Sequence, residues 1–423
     1  MSLFVFFAII IGLIAFGCPV VTAFLGGSVA YFLMNGLGLQ FALKIMLDGT
    51  SSFILMAVPL FIFVAYLFDL GTITDRLFAF ANKMVGHHPG GLAHVNIFNS
   101  LVFSGMSGSA IADTSGIGAL SARAMMREGY SAPFSAAVTI NGSLIGPIIP
   151  PSIPAVIIAA VTNVSVGKIF IGGIGPGIVM ALGLFAYCYW ISLRRGYPRA
   201  PKADWRERLK SLYHASGALL TPVILIGGIY TGIFTPTEAA AVASVYGLGL
   251  VIYYMRGVDI DRLMKATVAT VQLTGMVMLL VASVSLITWI ITVERVPQFV
   301  ALFVAGQQLG NYGFLAVLNV VLLILGALLP TEVIIFLFVP IVFPAAQIAG
   351  VDPVHFCVVV LVNLMIGLNT PPFGLNLFVA SGVLKVPVKD IISETWPMLI
   401  VLVGALLCIT YIEPIVTFLP SMM

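Results

Sequence analysis

Two short stretches carry the residues best suited to chemistry. "IGPIIPPS" (145–152) and "IGLNTPPF" (366–373) each hold a glycine followed, after three residues, by a double proline, and both lie in apolar surroundings. Proline lacks the backbone N–H and disrupts a continuing helix. In hydrocarbon, each unpaired backbone group costs several kcal/mol, so irregular chain persists only where protein, water or ligand satisfies it. A helix broken this way presents orphan N–H groups from one half and orphan carbonyls from the other. The carbonyls suit Na⁺ and the amides suit a carboxylate.

Around these breaks lie small and amide side chains. Ser104, Ser107, Gly108 and Ser109 crowd one turn, "SGMSGSA", and Asn141 and Gly142 open the first break. Hard cations prefer oxygen ligands, so these residues form a candidate Na⁺ site. Small-residue helix packing is the structural alternative. In the second half Gly326, Leu329 and Thr331 lie at the turn "GALLPTE", and Gly367, Asn369, Thr370 and Phe373 lie at the break. By symmetry they form a second Na⁺ site. A carboxylate substrate would lie against Ser107, Asn141, Pro150, Pro151, Ser152, Thr331, Gly374 and Asn376. Asp113 either neutralises Na⁺ or is satisfied by local amides, and a structural role is slightly preferred because an acid repels an anionic substrate. Arg123 either meets a substrate carboxylate or anchors the chain beside Arg127, and the anchor is preferred. Glu238 reads as the acidic member of a capping box opened by Thr235 and Pro236.

The elements that hold these residues must be membrane helices. Of 423 residues, 60% are hydrophobic and 8% charged, against about 25% charged in soluble domains. Runs such as "LFVFFAIIIGLIAF" do not alternate, which excludes a β-barrel. The first thirty residues lack a basic leader and a cleavage site, and read as two retained spans. Cys18, Cys188, Cys357 and Cys408 lack metal-ligand spacing and are expected to be free. The histidines suggest no metal site. Gly167-Lys168 lacks the rest of a P-loop, so no ATP is consumed here. No enzyme constellation appears, and the modest net charge of +3 gives no reason to expect nucleic acid.

Arg194, Arg195, Arg199, Lys202, Arg206, Arg208 and Lys210 cluster in one loop, which the positive-inside rule makes cytoplasmic. Segment 72–86 reads as an amphipathic helix on that surface, and 344–356 contains no Lys or Arg, as an external loop should. At an offset of 221 residues Gly105 meets Gly326, Gly129 meets Gly350, Gly146 meets Gly367, and Pro150-Pro151 meets Pro371-Pro372. The charge pattern makes the halves inverted. Paired, Gly/Pro-interrupted segments in inverted halves point to a transporter's midplane site. The expected fold is all-α and polytopic, with about ten transmembrane helices and two re-entrant hairpins. The first half, 1–211, holds a hairpin at about 91–128 and a broken helix at about 133–162. The second, 212–423, holds a hairpin at about 313–348 and a broken helix at about 355–383.

"SGSAIAD" (107–113), "GPIIPPSIP" (146–154), "GIFTPTEAAAVA" (232–243) and "IGLNTPPFGLNLF" (366–378) together resemble the large membrane subunit of tripartite ATP-independent periplasmic (TRAP) transporters. The resemblance spans essentially the whole chain. It implies an elevator-type secondary transporter in the bacterial inner membrane, with scaffold and transport domains, that takes up an organic acid with Na⁺. It also implies two partners: a small four-helix membrane subunit, expected as a separate chain, and a periplasmic substrate-binding protein. "LLPTEVII" departs from the family's usual acidic residue and following proline at the second tip, because Pro330 comes earlier and Glu332 replaces the Asp. A stand-alone Na⁺/organic-anion symporter or ion exchanger of the same architecture is the alternative.

Overall fold

The computed structural model describes residues 2–69, 73–254 and 260–423. Among the described residues the regular structure is helical, with no strand. The chain opens with α1 (Ser2–Ala15), α2 (Val20–Met34), α3 (Leu39–Thr50), α4 (Ala57–Asp69) and α5 (Ile73–Val85). The first hairpin follows as α6 (Gly91–Ser107), α7 (Ala110–Ser115) and α8 (Ile117–Arg127). The first broken helix is α9 (Ala132–Ser143) and α10 (Ile153–Thr162), and α11 (Val166–Arg195) closes this half. Next come α12 (Trp205–Tyr230), α13 (Pro236–Tyr254), α14 (Ile260–Val293) and α15 (Val296–Gly306). The second hairpin is α16 (Gly310–Leu328), α17 (Thr331–Leu337) and α18 (Val339–Ile348). The second broken helix is α19 (Pro353–Leu368) and α20 (Leu375–Leu384), followed by α21 (Val388–Tyr411).

Local chemistry explains the boundaries. Ser109 and Ser152 start α7 and α10 by accepting the N–H groups of Ala112 and Ala155 at 3.3 and 3.2 Å. Such caps satisfy donors that a helix start leaves open. Thr235 and Glu238 form the expected capping box before α13: the Glu238 carboxylate accepts from the Thr235 N–H at 2.8 Å, and Thr235 Oγ1 accepts from the Glu238 N–H at 3.3 Å. All four cysteines are free.

Among the described residues six helices are long and apolar enough to cross a membrane: α11, α12, α13, α14, α16 and α21. Two bent pairs raise this to eight: α3 with the segment up to Phe68, bent by 60°, and α17 with α18, bent by 56°. The expected ten spans are reached only by adding shorter helices. With 14 and 15 residues, α1 and α2 are each only ~22 Å long, against a hydrocarbon core of ~30 Å. The boundary expected at 211/212 falls inside α12, which runs unbroken from Trp205 to Tyr230 because Arg206, Arg208 and Lys210 continue the helix rather than end it.

Packing exchanges partners between the halves. The first hairpin's α7 lies against α20 of the second break, and the second hairpin's α17 lies against α10 of the first. Likewise α9 packs on α21 while α19 packs on α11. Within the second half a close backbone approach joins Gly326 of α16 to Gly367 of α19. A Cβ on Gly367 would stand 2.6 Å from the Gly326 Cα, and one on Gly326 would stand 3.0 Å from the Gly367 Cα. Alanine at Gly367 is therefore expected to cost about 1–3 kcal/mol by overpacking. Thermal unfolding of the purified variant checks this, and an unchanged midpoint would refute the close contact.

Candidate functional site

The two breaks meet in one buried amide cluster. Residues 144–152 leave the helical path after α9, and 369–374 do so after α19. Near the end of α9 the Ile140 carbonyl belongs to the last turn, where intrahelical donors run out. Asn369 of the other half supplies one: its Nδ2 donates to this carbonyl at 2.7 Å. Ser143 Oγ also donates to it, at 2.8 Å. Asn376 Nδ2 in turn donates to Asn369 Oδ1 and to Ser143 Oγ, both at 3.0 Å. Thr114 Oγ1 of the first hairpin donates to Ser143 Oγ at 2.9 Å. Asn141 joins through its Oδ1, 3.4 Å from Asn369 Nδ2, while its own Nδ2 donates to the Ala137 carbonyl at 2.8 Å. All of these side chains are buried.

The structure thus unites Asn141, Asn369 and Asn376 in one cluster; the sequence places Asn141 and Asn376 together at the substrate, and Asn141 and Asn369 in two different Na⁺ sites. The first hairpin tip also reaches the first break. Gly108 has φ +58°, a left-handed conformation that favours glycine, and a Cβ there would stand 2.5 Å from the Pro151 carbonyl oxygen. Ser152 contacts the same tip, but its hydroxyl is engaged locally, accepting from Ala155 N–H and donating to the Pro147 carbonyl. The Pro150–Pro151 and Pro371–Pro372 peptides are both cis. Thr370 Oγ1 donates to the Ile366 carbonyl at 2.8 Å. Leu329 is the extended residue that ends α16, Thr331 begins α17 and is buried, and Gly374 precedes α20. Phe373 is 63% exposed. The side chain of Ser104 lies outside the described residues. Arg123 is exposed on α8.

Several buried oxygens in the first hairpin have no partner. They are both carboxylate oxygens of Asp113, Ser107 Oγ, Ser100 Oγ and Asn99 Oδ1. The local amides that the structural reading of Asp113 requires do not reach its side chain. Ser100 Oγ lies beside Gly142, 3.3 Å from where a Cβ would be. A fully buried carboxylate with neither oxygen paired is costly, and a bound cation offsets that cost.

Other polar contacts went unread in the sequence. Asn363 Nδ2 donates to Asn319 Oδ1 at 2.6 Å, and Asn319 Nδ2 donates to Thr410 Oγ1 at 2.9 Å. Asn96 Nδ2 donates to Thr139 Oγ1 at 2.7 Å, and Asn99 Nδ2 to Ser121 Oγ at 3.2 Å. Asparagine inside the apolar runs "LNVVLL" and "LVNLM" is the signal that marks the first pair. A cavity of about 480 Å³ lies among α3, α10, α14, α17 and α18, and includes Asp48, Ser285, Thr288 and Trp289; none of the expected site residues lines it.

The profile of the tripartite ATP-independent periplasmic transporter, DctM component, matches residues 7–415. The chain belongs to this family. It is therefore a large permease subunit of a TRAP transporter, a multi-pass membrane protein and not an enzyme. It is 39% identical to the sialic acid TRAP transporter large permease protein SiaM of Vibrio cholerae, over 97% of each chain. It is also 39% identical to the C4-dicarboxylate TRAP transporter large permease protein DctM of Pseudomonas aeruginosa, over 90% of this chain and 89% of that one. Its fold is similar to the crystal structure of the Alcanivorax borkumensis YdaH transporter, with a TM-score of 0.56 at 12% identity over 88% of each chain.

Within this TRAP permease the Asn369–Ile140 bridge is expected to behave as one unit with Asn376. Asn369→Ala should cost about 1–3 kcal/mol, because the buried Ile140 carbonyl loses the shorter of its two donors and Asn376 Nδ2 loses an acceptor. Asn369→Ala and Asn376→Ala together should cost clearly less than their sum. Melting curves of the singles and the double test this, and strict additivity would sink it.

Proposed function

We propose that this permease subunit takes up an organic acid across the bacterial inner membrane, driven by Na⁺, receiving its substrate from a periplasmic binding protein and working beside a small four-helix membrane subunit. The sialic acid and C4-dicarboxylate relatives support a carboxylate as the substrate class. The observation that carries the ion coupling is the set of unpaired buried oxygens beside the first tip: Asp113, Ser107, Ser100 and Asn99. Na⁺ takes oxygen ligands, and Asp113 supplies the negative charge. Ser104, Gly108, Ser109 and Asn141 complete the first site with backbone and side-chain oxygens. Gly326, Leu329, Gly367, Asn369, Thr370 and Phe373 supply the second, chiefly through carbonyls freed at the break.

The substrate carboxylate would face Ser107, Asn141, Pro150, Pro151, Ser152, Thr331, Gly374 and Asn376. Several of these side chains already hold one another or cap helices, so their share is chiefly backbone N–H groups at the starts of α10 and α20. An elevator motion fits the packing. The hairpins and breaks interlock with each other, while α2, α3, α4, α13 and α14 pack on one another as a second group, suited to remain fixed, that meets the first through α4 on α6 and α10 and through α14 on α17.

Proteoliposomes holding this chain and its small subunit should accumulate a carboxylate only with an inward Na⁺ gradient and a loaded binding protein. Uptake that needs Na⁺ alone would move the protein to the stand-alone symporters. Asp113→Asn should weaken the apparent Na⁺ affinity by about ten-fold or more, as loss of one charge-assisted contact does; an unchanged Na⁺ dependence would remove Asp113 from the site. Pro150→Ala with Pro151→Ala should rebuild helix and abolish uptake in a protein that still inserts, and normal uptake would overturn the broken-helix reading.

A further inference from the structure

A second set of unpaired groups lies far from the breaks. The loop 86–90 joins α5 to α6, and the cation-rich segment folds over it: Ala200 donates its N–H to the Gly86 carbonyl at 2.9 Å. Beside this contact Lys83 and Glu207 pair at 2.9 Å and neutralise each other. The next residue, Arg208, has no such acceptor. Its Nε and Nη2 are shielded from solvent and neither is hydrogen-bonded. In the facing loop His87 Nδ1 is also shielded and unpartnered. The His87 ring lies against His88, with centroids 4.1 Å apart, and His94 stands behind His88 at 6.1 Å.

Buried guanidinium donors without an acceptor are costly, and planar guanidinium groups match phosphate oxygens. The groups that act on His87 are of one sign. Burial, then His88, Arg208 and Lys202, lower its pKa, while the neighbouring acid Glu207 is paired with Lys83. Next to this pocket, Trp205, Leu209 and Tyr213 follow one another at four-residue spacing along α12, with exposures of 67%, 46% and 78%. That spacing places them on one helix face, at the end of a helix apolar enough to span a membrane.

We propose that Arg208, His87 and Lys202 bind the phosphate group of an anionic phospholipid, whose acyl chains lie along Trp205, Leu209 and Tyr213. Basic pockets between membrane helices on the cation-rich side take headgroups in this way. The site ties the α5–α6 loop, from which the first hairpin starts, to α12. An anion there favours protonated His87, so binding tightens as pH falls toward the range in which His87 takes up its proton.

Native mass spectrometry of the delipidated full chain tests this, with phosphatidylglycerol, phosphatidylcholine and inorganic phosphate as separate probes. Retention of phosphatidylglycerol over phosphatidylcholine is expected, falling about ten-fold in Arg208→Gln, the loss of one charge-assisted contact, and little in Arg206→Gln, an exposed cation on the same turn. Retention in the wild type should rise as pH falls below the ordinary histidine range, since His87 takes up its proton lower than a free imidazole does, and stay flat in His87→Gln. Displacement of the lipid by millimolar phosphate would assign the same pocket to a free anion and overturn the lipid as its occupant. Equal losses in Arg208→Gln and Arg206→Gln, or none, would overturn the site itself, leaving only a diffuse positive surface. Where Arg208→Gln does not purify, Arg208→Lys keeps the charge, loses the planar fork and is expected to show an intermediate loss; wild-type retention there would count against the site.

Discussion

The structure depends on one constraint: a helix interrupted inside a membrane must find partners for the backbone groups it frees. The Ile140 carbonyl meets this with Asn369 Nδ2 at 2.7 Å, a bond that crosses from one half of the chain to the other. The first break is completed partly from nearby, by Ser143 on the same carbonyl, and partly by Asn369 and Asn376 from more than two hundred positions away, so the two breaks are held together as a pair. This is why the amides cluster at the centre while the surrounding helices are almost wholly apolar.

The same constraint distinguishes two kinds of buried oxygen. Around α9 and α20 Ser143, Thr114, Asn369 and Asn376 close on one another. These side chains act first as glue, and their energy goes into holding the breaks open. A few residues away Asp113, Ser107 and Ser100 remain unmatched. The closed set keeps one open group too, since Asn376 Oδ1 is buried without a partner; for the bare carboxylate, the Na⁺ proposed above would be the partner.

Much of this was legible in the sequence. The Gly/Pro interruptions at 146–151 and 367–372 lie where the chain leaves the helical path, at 144–152 and 369–374. Proline and glycine act locally, so their signals survive without a structure. Partner choice does not. Asn141, Asn369 and Asn376 read as ion and substrate ligands because amides in apolar sequence advertise a polar site, but sequence cannot reveal that they bond to each other. Ser152 reads as a substrate contact and is also a helix cap, a role its position just before "IPAVII" encodes. The pair Asn319–Asn363 carries the same signal, and again the sequence does not encode which partner each amide takes.

The exchanged packing has a mechanical consequence. Because α7 rests on α20 and α17 rests on α10, a displacement of either hairpin must carry a break from the opposite half or rupture the contact. Gly326 and Gly367 have no room between them to slide past one another, and the Asn369 bridge ties the breaks directly. For the elevator motion proposed above, this interlocking favours movement of hairpins and breaks as one body over independent hinging. The group built on α13 and α14 meets that body through α4 on α6 and α10 and through α14 on α17, and in such a motion these contacts would be remade while the buried amides stay closed.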